Sequence, residues 1–165
     1  MVDTSIAAIR LLPIEMRHAE AMHRWMLDPE VSRNVGLRTE PSLQKTLDWI
    51  AQTADASAFL ALAIYSEDRH VGNVVFDQIS ENAMSARLSI YIGASDERDK
   101  GLGTMAMQSA LTQAFLERDF QTIWLTVNAD NARARHVYAK LGFQAAESGR
   151  MELLREVWFK TGGLQ

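Results

Sequence analysis

One strand–turn–helix–strand segment constrains the fold of this chain more than any other part of its sequence. Apolar and polar residues alternate over 86–92, as in a half-buried strand. The turn Arg98-Asp99-Lys100-Gly101-Leu102-Gly103-Thr104 follows and opens a helix predicted over 104–118. A second alternating strand covers 123–127. Because the connecting helix must cross over the sheet, the two strands of this unit should be parallel neighbours.

The segments on either side of this unit predict a mixed sheet with helices on both faces. The strands that precede the turn are joined by hairpin-length connections, so they should be antiparallel. We therefore expect an α/β fold whose sheet is predominantly antiparallel, with one central parallel pair. Further strands are predicted over 7–12, 59–65, 71–79, 143–147 and 153–159, and further helices over 15–27, from Pro41 onward, and from Asp130 or Asn131 to Gly142.

The composition is that of an ordinary globular domain. The chain has 165 residues, of which 47% are hydrophobic and 23% are charged. A chain of this length can bury roughly two-thirds of its unfolded surface, so it needs neither a metal nor a disulfide to fold. We expect a single domain over residues 1–160 and a flexible C-terminal tail over 161–165. The chain has no cysteine, which excludes disulfides, thiolate metal sites and a cysteine nucleophile.

Charge and hydropathy argue against several classes of partner. The formal net charge is -4 and no basic stripe is evident, so we expect no nucleic-acid partner. No apolar run reaches the ~20 residues that span a bilayer, and the first residues do not resemble a signal peptide, so we expect a cytoplasmic protein with no membrane partner. We also expect no metal site, because the histidines share no metal-ligand spacing. Each histidine should lie at the surface or at the rim of the site: His18, His23, His70 and His136.

The glycine turn itself predicts a site for a phosphate or pyrophosphate, because such a turn points several backbone N–H groups to one place at the positive end of a helix. A Walker A loop is excluded, since Lys100 precedes the glycines. Gly101, Gly103 and Ala106 match the dinucleotide fingerprint literally, but a polar loop over 94–100 separates them from the strand. A tight start to the helix, with no ligand, also remains open from these residues alone.

Two motifs together closely resemble the GNAT family of acetyl-CoA-dependent N-acetyltransferases. Arg98-x-x-Gly101-x-Gly103 is similar to the phosphate loop of that family. Asn131-x-x-Ala134-x-x-x-Tyr138-x-x-x-Gly142-Phe143 is similar to its later helix. The opening, with Ile9-Arg10-Leu11-Leu12 and Trp25-x-x-Asp28-Pro29, resembles the subgroup of ribosomal-protein and polyamine acetyltransferases. The resemblance implies the GNAT fold and acetyl-CoA as co-substrate.

The same resemblance implies roles for individual residues. The backbone at Tyr91 and Ile92 would pair with the pantetheine arm in a slot where this strand and the 123–127 strand splay apart. The turn Arg98-Asp99-Lys100-Gly101-Leu102-Gly103-Thr104 would hold the pyrophosphate through its backbone N–H groups. Asn131 would help to hold the pantetheine or the start of its helix. Tyr138 would direct its hydroxyl at the thioester sulfur.

The chemistry expected of such a site is direct attack of an amine on the acetyl thioester. The amine must lose a proton, so a general base or a water chain is needed. The strand before the turn carries no carboxylate. Asp77 and Glu81 are candidates that would act through water, and each can equally be a solvated surface acid. Tyr138 is a candidate donor to the thiolate, or alternatively only a core tyrosine on the buried helix stripe.

The acceptor is expected to be a primary amine on a small molecule or a peptide, such as a protein N-terminus, a polyamine or an amino sugar. The acidic charge balance would suit a cationic acceptor. Trp25 and the expected loop residues Arg33 and Asn34 lie where this fold walls its acceptor site, although Trp25 can instead belong to the core. An exposed closing strand could support a homodimer. The alternatives are a non-catalytic acyl-CoA-binding sensor of the same fold and a nicotinamide dinucleotide enzyme.

Overall fold

The computed structural model of the protein describes residues 8–161. The expected start of the first strand at residue 7, and the expected tail beyond Thr161, lie outside these residues. The strands are β1 (Ile9–Pro13), β2 (Leu60–Ser66), β3 (Arg69–Ser80), β4 (Ser85–Ile92), β5 (Thr122–Thr126), β6 (Gln144–Ala145) and β7 (Arg150–Leu154). The helices are α1 (Ala19–Met26), α2 (Pro29–Asn34), α3 (Leu43–Gln52), α4 (Leu102–Glu117), α5 (Ala132–Leu141) and α6 (Arg155–Lys160).

Within the described residues the strands form one seven-stranded sheet in the order β1-β2-β3-β4-β5-β7-β6. All neighbouring pairs are antiparallel except β4 and β5, which are parallel. This confirms the predicted mixed sheet. The parallel pairing runs only from Ser85 and Thr122 to Arg87 and Trp124, although both strands continue beyond it. The strands therefore separate at one end and leave a gap in the middle of the sheet.

Helices cover both faces of the sheet, as predicted. Because side chains alternate along a strand, β2 contributes to a core on each face of the sheet. Leu62 and Ile64 face the core beneath α4, whereas Ala63 and Tyr65 face the core beneath α1 and α3. Helix α4 fills the larger of these cores with seven buried residues: Leu102, Ala106, Met107, Ala110, Leu111, Ala114 and Phe115. The first turn of α4 is therefore held in place against the gap between β4 and β5.

The segment around α2 differs from its prediction. The sequence Asp28-Pro29 ends α1 as expected, but the same pair starts a second helix, so Arg33 and Asn34 lie on α2 rather than in a loop. The Asp28 carboxylate accepts from the Glu30 N–H at 2.9 Å, and proline occupies the first turn. Helix α3 starts at Leu43 with Ser42 as its N-cap, two residues later than the predicted start at Pro41.

The closing segment is also partly different. The strand expected over 153–159 ends at Leu154, and α6 follows it. Trp158 of α6 is buried, and its indole N–H donates to the Thr112 hydroxyl on α4 at 3.2 Å. Packing of one helical face against α4 overrides the strand preference of the Val-Trp-Phe composition. The strand expected over 143–147 is reduced to the two residues of β6.

Candidate functional site

The glycine turn lies where a cleft of about 930 Å³ opens at the gap between β4 and β5. Asp99 and Gly101 have positive φ angles of 63° and 77°, which bend the chain sharply into α4. Gly101 is the N-cap of α4, and no side chain caps the first turn. The N–H groups of that turn thus retain their capacity to bind an anion at the positive end of a 16-residue helix.

Gly103 leaves room for a ligand rather than for another part of the protein. A Cβ at this position would meet only Ile92 Cγ1, at 3.8 Å, and a Cβ at Gly101 would meet nothing within 4 Å. The conformation at Gly101 calls for glycine because its φ is positive. No such reason applies at Gly103, so the open space beside its N–H fits a phosphate that approaches the backbone closely.

The side chain of Arg98 is engaged within the protein. Its Nε donates to the carbonyl of Ile92 at 3.0 Å, and one terminal nitrogen donates to the carbonyl of Gly93 at 3.2 Å. The guanidinium also forms ion pairs at 3.0 Å with Asp28 and with Glu30. Arg98 therefore connects the end of β4 to the start of α2. Only its backbone is available to bind a ligand at the glycine turn.

The other charged residues of the turn are exposed and paired. Lys100 lies 3.6 Å from the Glu97 carboxylate. Asp99 accepts from Arg133 at 3.0 Å, and this contact joins the turn to the start of α5. Asn131 caps α5, because its side-chain oxygen accepts from the Ala134 N–H at 3.1 Å. The resemblance implies that Asn131 holds either the pantetheine or the start of its helix, and this hydrogen bond corresponds to the second role.

Tyr138 lines the cleft and also a neighbouring pocket of about 280 Å³ between α4 and α5. Its ring packs against Phe143, with 5.9 Å between the ring centroids. Within the described part of the chain, its hydroxyl has no hydrogen-bond partner. Burial raises the pKa of Tyr138 above that of an ordinary phenol. At neutral pH the hydroxyl is therefore protonated and free to donate to a group in the cleft.

Tyr91 and Ile92 lie at the open end of β4 and line the cleft. The Tyr91 hydroxyl accepts from the Asn73 side-chain nitrogen at 2.7 Å, and burial raises the pKa of this phenol strongly. The Asn73 oxygen accepts in turn from His70 Nε2 at 2.8 Å. The side chain of Tyr91 is thus committed to an internal network, whereas the edge of its strand faces the gap.

The candidate acceptor residues fall into two groups. Arg33 and Asn34 line the cleft. Trp25 is not among the cleft-lining residues, and it packs at the end of β4, where a Cβ on Gly93 would come within 2.0 Å of its ring. Glu81 is exposed in the turn between β3 and β4, away from the cleft lining. Trp25 therefore packs against the end of β4 and against the core beneath α1 and α3, while its role toward an acceptor stays a prediction.

Asp77 also lies outside the cleft lining, but it forms an ion pair with Arg87, which lines the cleft. Its two carboxylate oxygens accept from Arg87 at 2.7 and 2.6 Å. Arg87 and Ser89 face the cleft from β4, together with Arg38 from the segment after α2. Sequence reasoning did not assign Arg38 or Arg87 to the site. Alternation with Tyr91 along β4 was the signal that could have placed Arg87 there.

The prediction that every histidine lies at the surface or rim is wrong for His18. It is 3% exposed, and its Nδ1 accepts from the Glu15 N–H at 2.8 Å, which leaves Nε2 to donate to the Tyr65 hydroxyl at 2.8 Å. His18 is the last residue of a short 3-10 helix, Met16–His18, and its ring satisfies the backbone N–H of the N-cap residue Glu15. No group of three or more His, Cys, Asp or Glu side chains within residues 8–161 is placed to hold a metal. None of the helices described is long and apolar enough to cross a bilayer.

Comparison with known proteins identifies relatives of this arrangement. A family model described as an acetyltransferase (GNAT) domain matches residues 8–144. The chain is 27% identical over 146 residues to an N-acetyltransferase 9-like protein of Caenorhabditis briggsae, covering 81% of this chain and 73% of that protein.

Solved structures share the fold at low sequence identity. Spermidine N-acetyltransferase from Vibrio cholerae in complex with CoA and spermine has a TM-score of 0.84 at 19% identity, over 92% of this chain and 98% of that one. A dodecameric structure of the V. cholerae enzyme has a TM-score of 0.79 at 19% identity, over 93% of this chain and 98% of that one. A probable acetyltransferase has a TM-score of 0.76 at 18% identity, over 90% and 93% of the two chains.

Proposed function

Because the chain belongs to the GNAT family of acetyltransferases, we propose that it transfers an acetyl group from acetyl-CoA to a primary amine by direct attack in a ternary complex. One observation carries this proposal: an uncapped helix start with an open glycine, and a tyrosine with a free hydroxyl, line the same cleft. The first fits the diphosphate of the donor, and the second fits the departing sulfur.

The donor would lie along the gap between β4 and β5. Its pyrophosphate would accept from the N–H groups at the start of α4, beside Gly103. Its pantetheine arm would occupy the gap that opens beyond Arg87 and Trp124, where the two strands no longer pair. In this position the thioester would approach Tyr138, which lines both the cleft and the neighbouring pocket between α4 and α5.

In the reaction, the amine nitrogen bonds to the acetyl carbon while the carbon–sulfur bond breaks. Tyr138 donates a hydrogen bond to the sulfur as it becomes a thiolate, and its raised pKa keeps the phenol protonated for this task. The acids that line the described part of the cleft are all ion-paired, so the amine proton leaves through water. Ser89 is exposed on the cleft wall of β4 and can hold such a water.

The test is release of CoA thiol from acetyl-CoA with a panel of primary amines. We expect release with at least one amine and a lower kcat for Tyr138→Phe. Binding of acetyl-CoA without release on any amine would instead favour the non-catalytic sensor. Thermal unfolding with acetyl-CoA and with NAD tests the remaining alternative, because stabilisation by NAD alone contradicts the proposal. The cytoplasmic location and the homodimer both stay predictions of the sequence.

A further inference from the structure

The acidic side chains that line the cleft carry no unpaired negative charge within the described residues. They come from α2, from the turn before α4 and from the segment that leads to it. Their ion pairs are Glu30 with Arg98 at 3.0 Å, Asp99 with Arg133 at 3.0 Å, and Glu97 with Arg69 at 3.5 Å and Lys100 at 3.6 Å. A cationic group that enters the cleft must therefore compete with an arginine or lysine for each of these carboxylates.

The unpaired charges on the cleft wall are positive. Arg87, like Arg98 and Arg133, has a carboxylate partner. Arg33 and Arg38 also line the cleft, and neither guanidinium group forms a hydrogen bond or an ion pair within residues 8–161. Both are exposed. The wall of the cleft thus presents two free guanidinium groups, although the whole chain has a net charge of -4.

Packing, an ion pair and backbone hydrogen bonds hold the segment from which these two arginines extend. Val31 on α2 is 2% exposed, and Arg98 holds the first turn of the helix through Glu30. Gly36, with a φ of 70°, ends the helix, since its N–H donates to the Arg33 carbonyl at 3.2 Å. The next N–H, of Leu37, donates to the Ser32 carbonyl at 2.9 Å. This helix end turns the chain so that Arg38 remains beside the cleft.

From these charges we infer that the acceptor is an amine that also carries an anionic group, a carboxylate or a phosphate, which Arg33 and Arg38 bind. The inference rests on the proposed acetyltransferase function and names the chemical class of its acceptor. Guanidinium groups bind both kinds of oxyanion through paired N–H donors. A polycation such as the spermine bound by the V. cholerae enzyme would instead meet two like charges and no unpaired carboxylate in the described lining.

Matched amines test the class of acceptor. Thiol release is compared for ethanolamine and O-phosphoethanolamine, for glucosamine and glucosamine 6-phosphate, and for glycinamide and glycine, with spermidine as the polycation. We expect the anionic member to have the higher kcat/KM by about tenfold or more in at least one pair. The phosphate and carboxylate pairs distinguish the two oxyanions. Higher kcat/KM for spermidine than for every anionic amine would overturn the inference.

Variants then test the two arginines. Arg33→Gln and Arg38→Gln should each raise the KM of the preferred anionic amine about tenfold and leave the KM of acetyl-CoA unchanged. Arg24→Gln on α1 is the matched control, because Arg24 is exposed and does not line the cleft. A rise in the KM of acetyl-CoA alone would assign the arginines to the donor phosphates and refute the inference.

A binding measurement separates failure of the inference from failure of the proposed function. Calorimetric titration of O-phosphoethanolamine and of glycine into the protein–CoA complex needs no turnover. Binding of either ligand that is lost in the Arg33→Gln/Arg38→Gln double variant supports the anionic subsite even if no amine releases thiol. Binding of neither, or equal binding to the double variant, contradicts the subsite even if other amines are acetylated.

Discussion

In the proposed function, backbone groups would form the donor end of the cleft, whereas side chains on the six-residue helix α2 and the segment after it would form the acceptor end. At the donor end, the start of α4 and the open edge of β4 are held by the main core. At the acceptor end, Arg33 and Arg38 project from a surface segment fixed by Val31 and by the Arg98 ion pairs. A backbone site depends on chain geometry, whereas a side-chain site can change with single substitutions. We therefore expect the two ends to respond differently to mutation.

The largest effect should come from filling the space beside the first turn of α4. In Gly103→Val, the new Cβ meets only Ile92 Cγ1, at 3.8 Å, and the side chain enters the space proposed for the pyrophosphate. We expect the Kd of acetyl-CoA to rise about a hundredfold with little change in Tm. Titration calorimetry and thermal unfolding measure the two quantities. Ser109→Val, at an exposed position of the same helix, is the control, and equal Kd values for the two variants would show that the donor end lies elsewhere.

Tyr138→Phe should have the next largest effect, and it should act on kcat rather than on binding. Removal of the hydroxyl takes away the donor to the sulfur, so kcat should fall about ten- to a hundredfold while the Kd of acetyl-CoA stays nearly constant. Because burial raises the pKa of Tyr138, wild-type kcat should not decline until the pH exceeds the usual range of a phenol. Steady-state rates over a pH series measure both effects.

The control for this variant is Tyr65→Phe. It also removes a buried hydroxyl, but from the α1 face of the sheet, where the hydroxyl accepts from His18. Its kcat should match that of the wild type. A similar loss of kcat in both variants would mean that Tyr138 acts through packing alone, and the donor end would then lack the chemical role proposed for it.

The structural features of the proposed donor end could be predicted from sequence because their determinants are local. The positive φ at Gly101, the cap at Asn131 and the alternation along β4 each leave a signal within a few residues. The acceptor end could not be predicted in the same way. The ion pair between Glu30 and Arg98, which holds the first turn of α2, depends on a contact between residues 68 positions apart. Net charge also does not determine the charge of the cleft, since it does not register which carboxylates are paired.

Arg98 connects the two ends, and Arg98→Gln should weaken both. The variant loses two ion pairs with Asp28 and Glu30 and bonds to two carbonyls at the end of β4. We expect Tm to fall by about 5 °C and the KM values of donor and acceptor to rise together by a few-fold. Arg69→Gln removes ion pairs of an exposed arginine with Asp96 and Glu97 and should change Tm by about 1 °C at most. A change in only one KM would indicate that the two ends are independent.

The smallest effect should be a loss of stability at acid pH that begins on the acceptor side. Burial lowers the pKa of His18, with His70 as the next cause, and burial also lowers the pKa of His70. Since the folded state binds these protons less readily than the unfolded chain, stability is complete above the ordinary histidine pKa of about 6.5 and is lost as the pH falls below it. We expect Tm to decrease between pH 7.5 and 5.5.

The positions of His18 and His70 determine where the loss of stability should appear first. His18 precedes α1 directly, and His70 packs against Trp25 near the end of α1, with 4.7 Å between the ring centroids. Helix α1 leads into α2, whereas the first turn of α4 lies on the opposite core. Hydrogen exchange at pH 5.5 should therefore rise over 19–34 before it rises over 102–106. His18→Gln should reduce the pH dependence of Tm, and a pH dependence that stays unchanged in this variant would assign the loss to other groups.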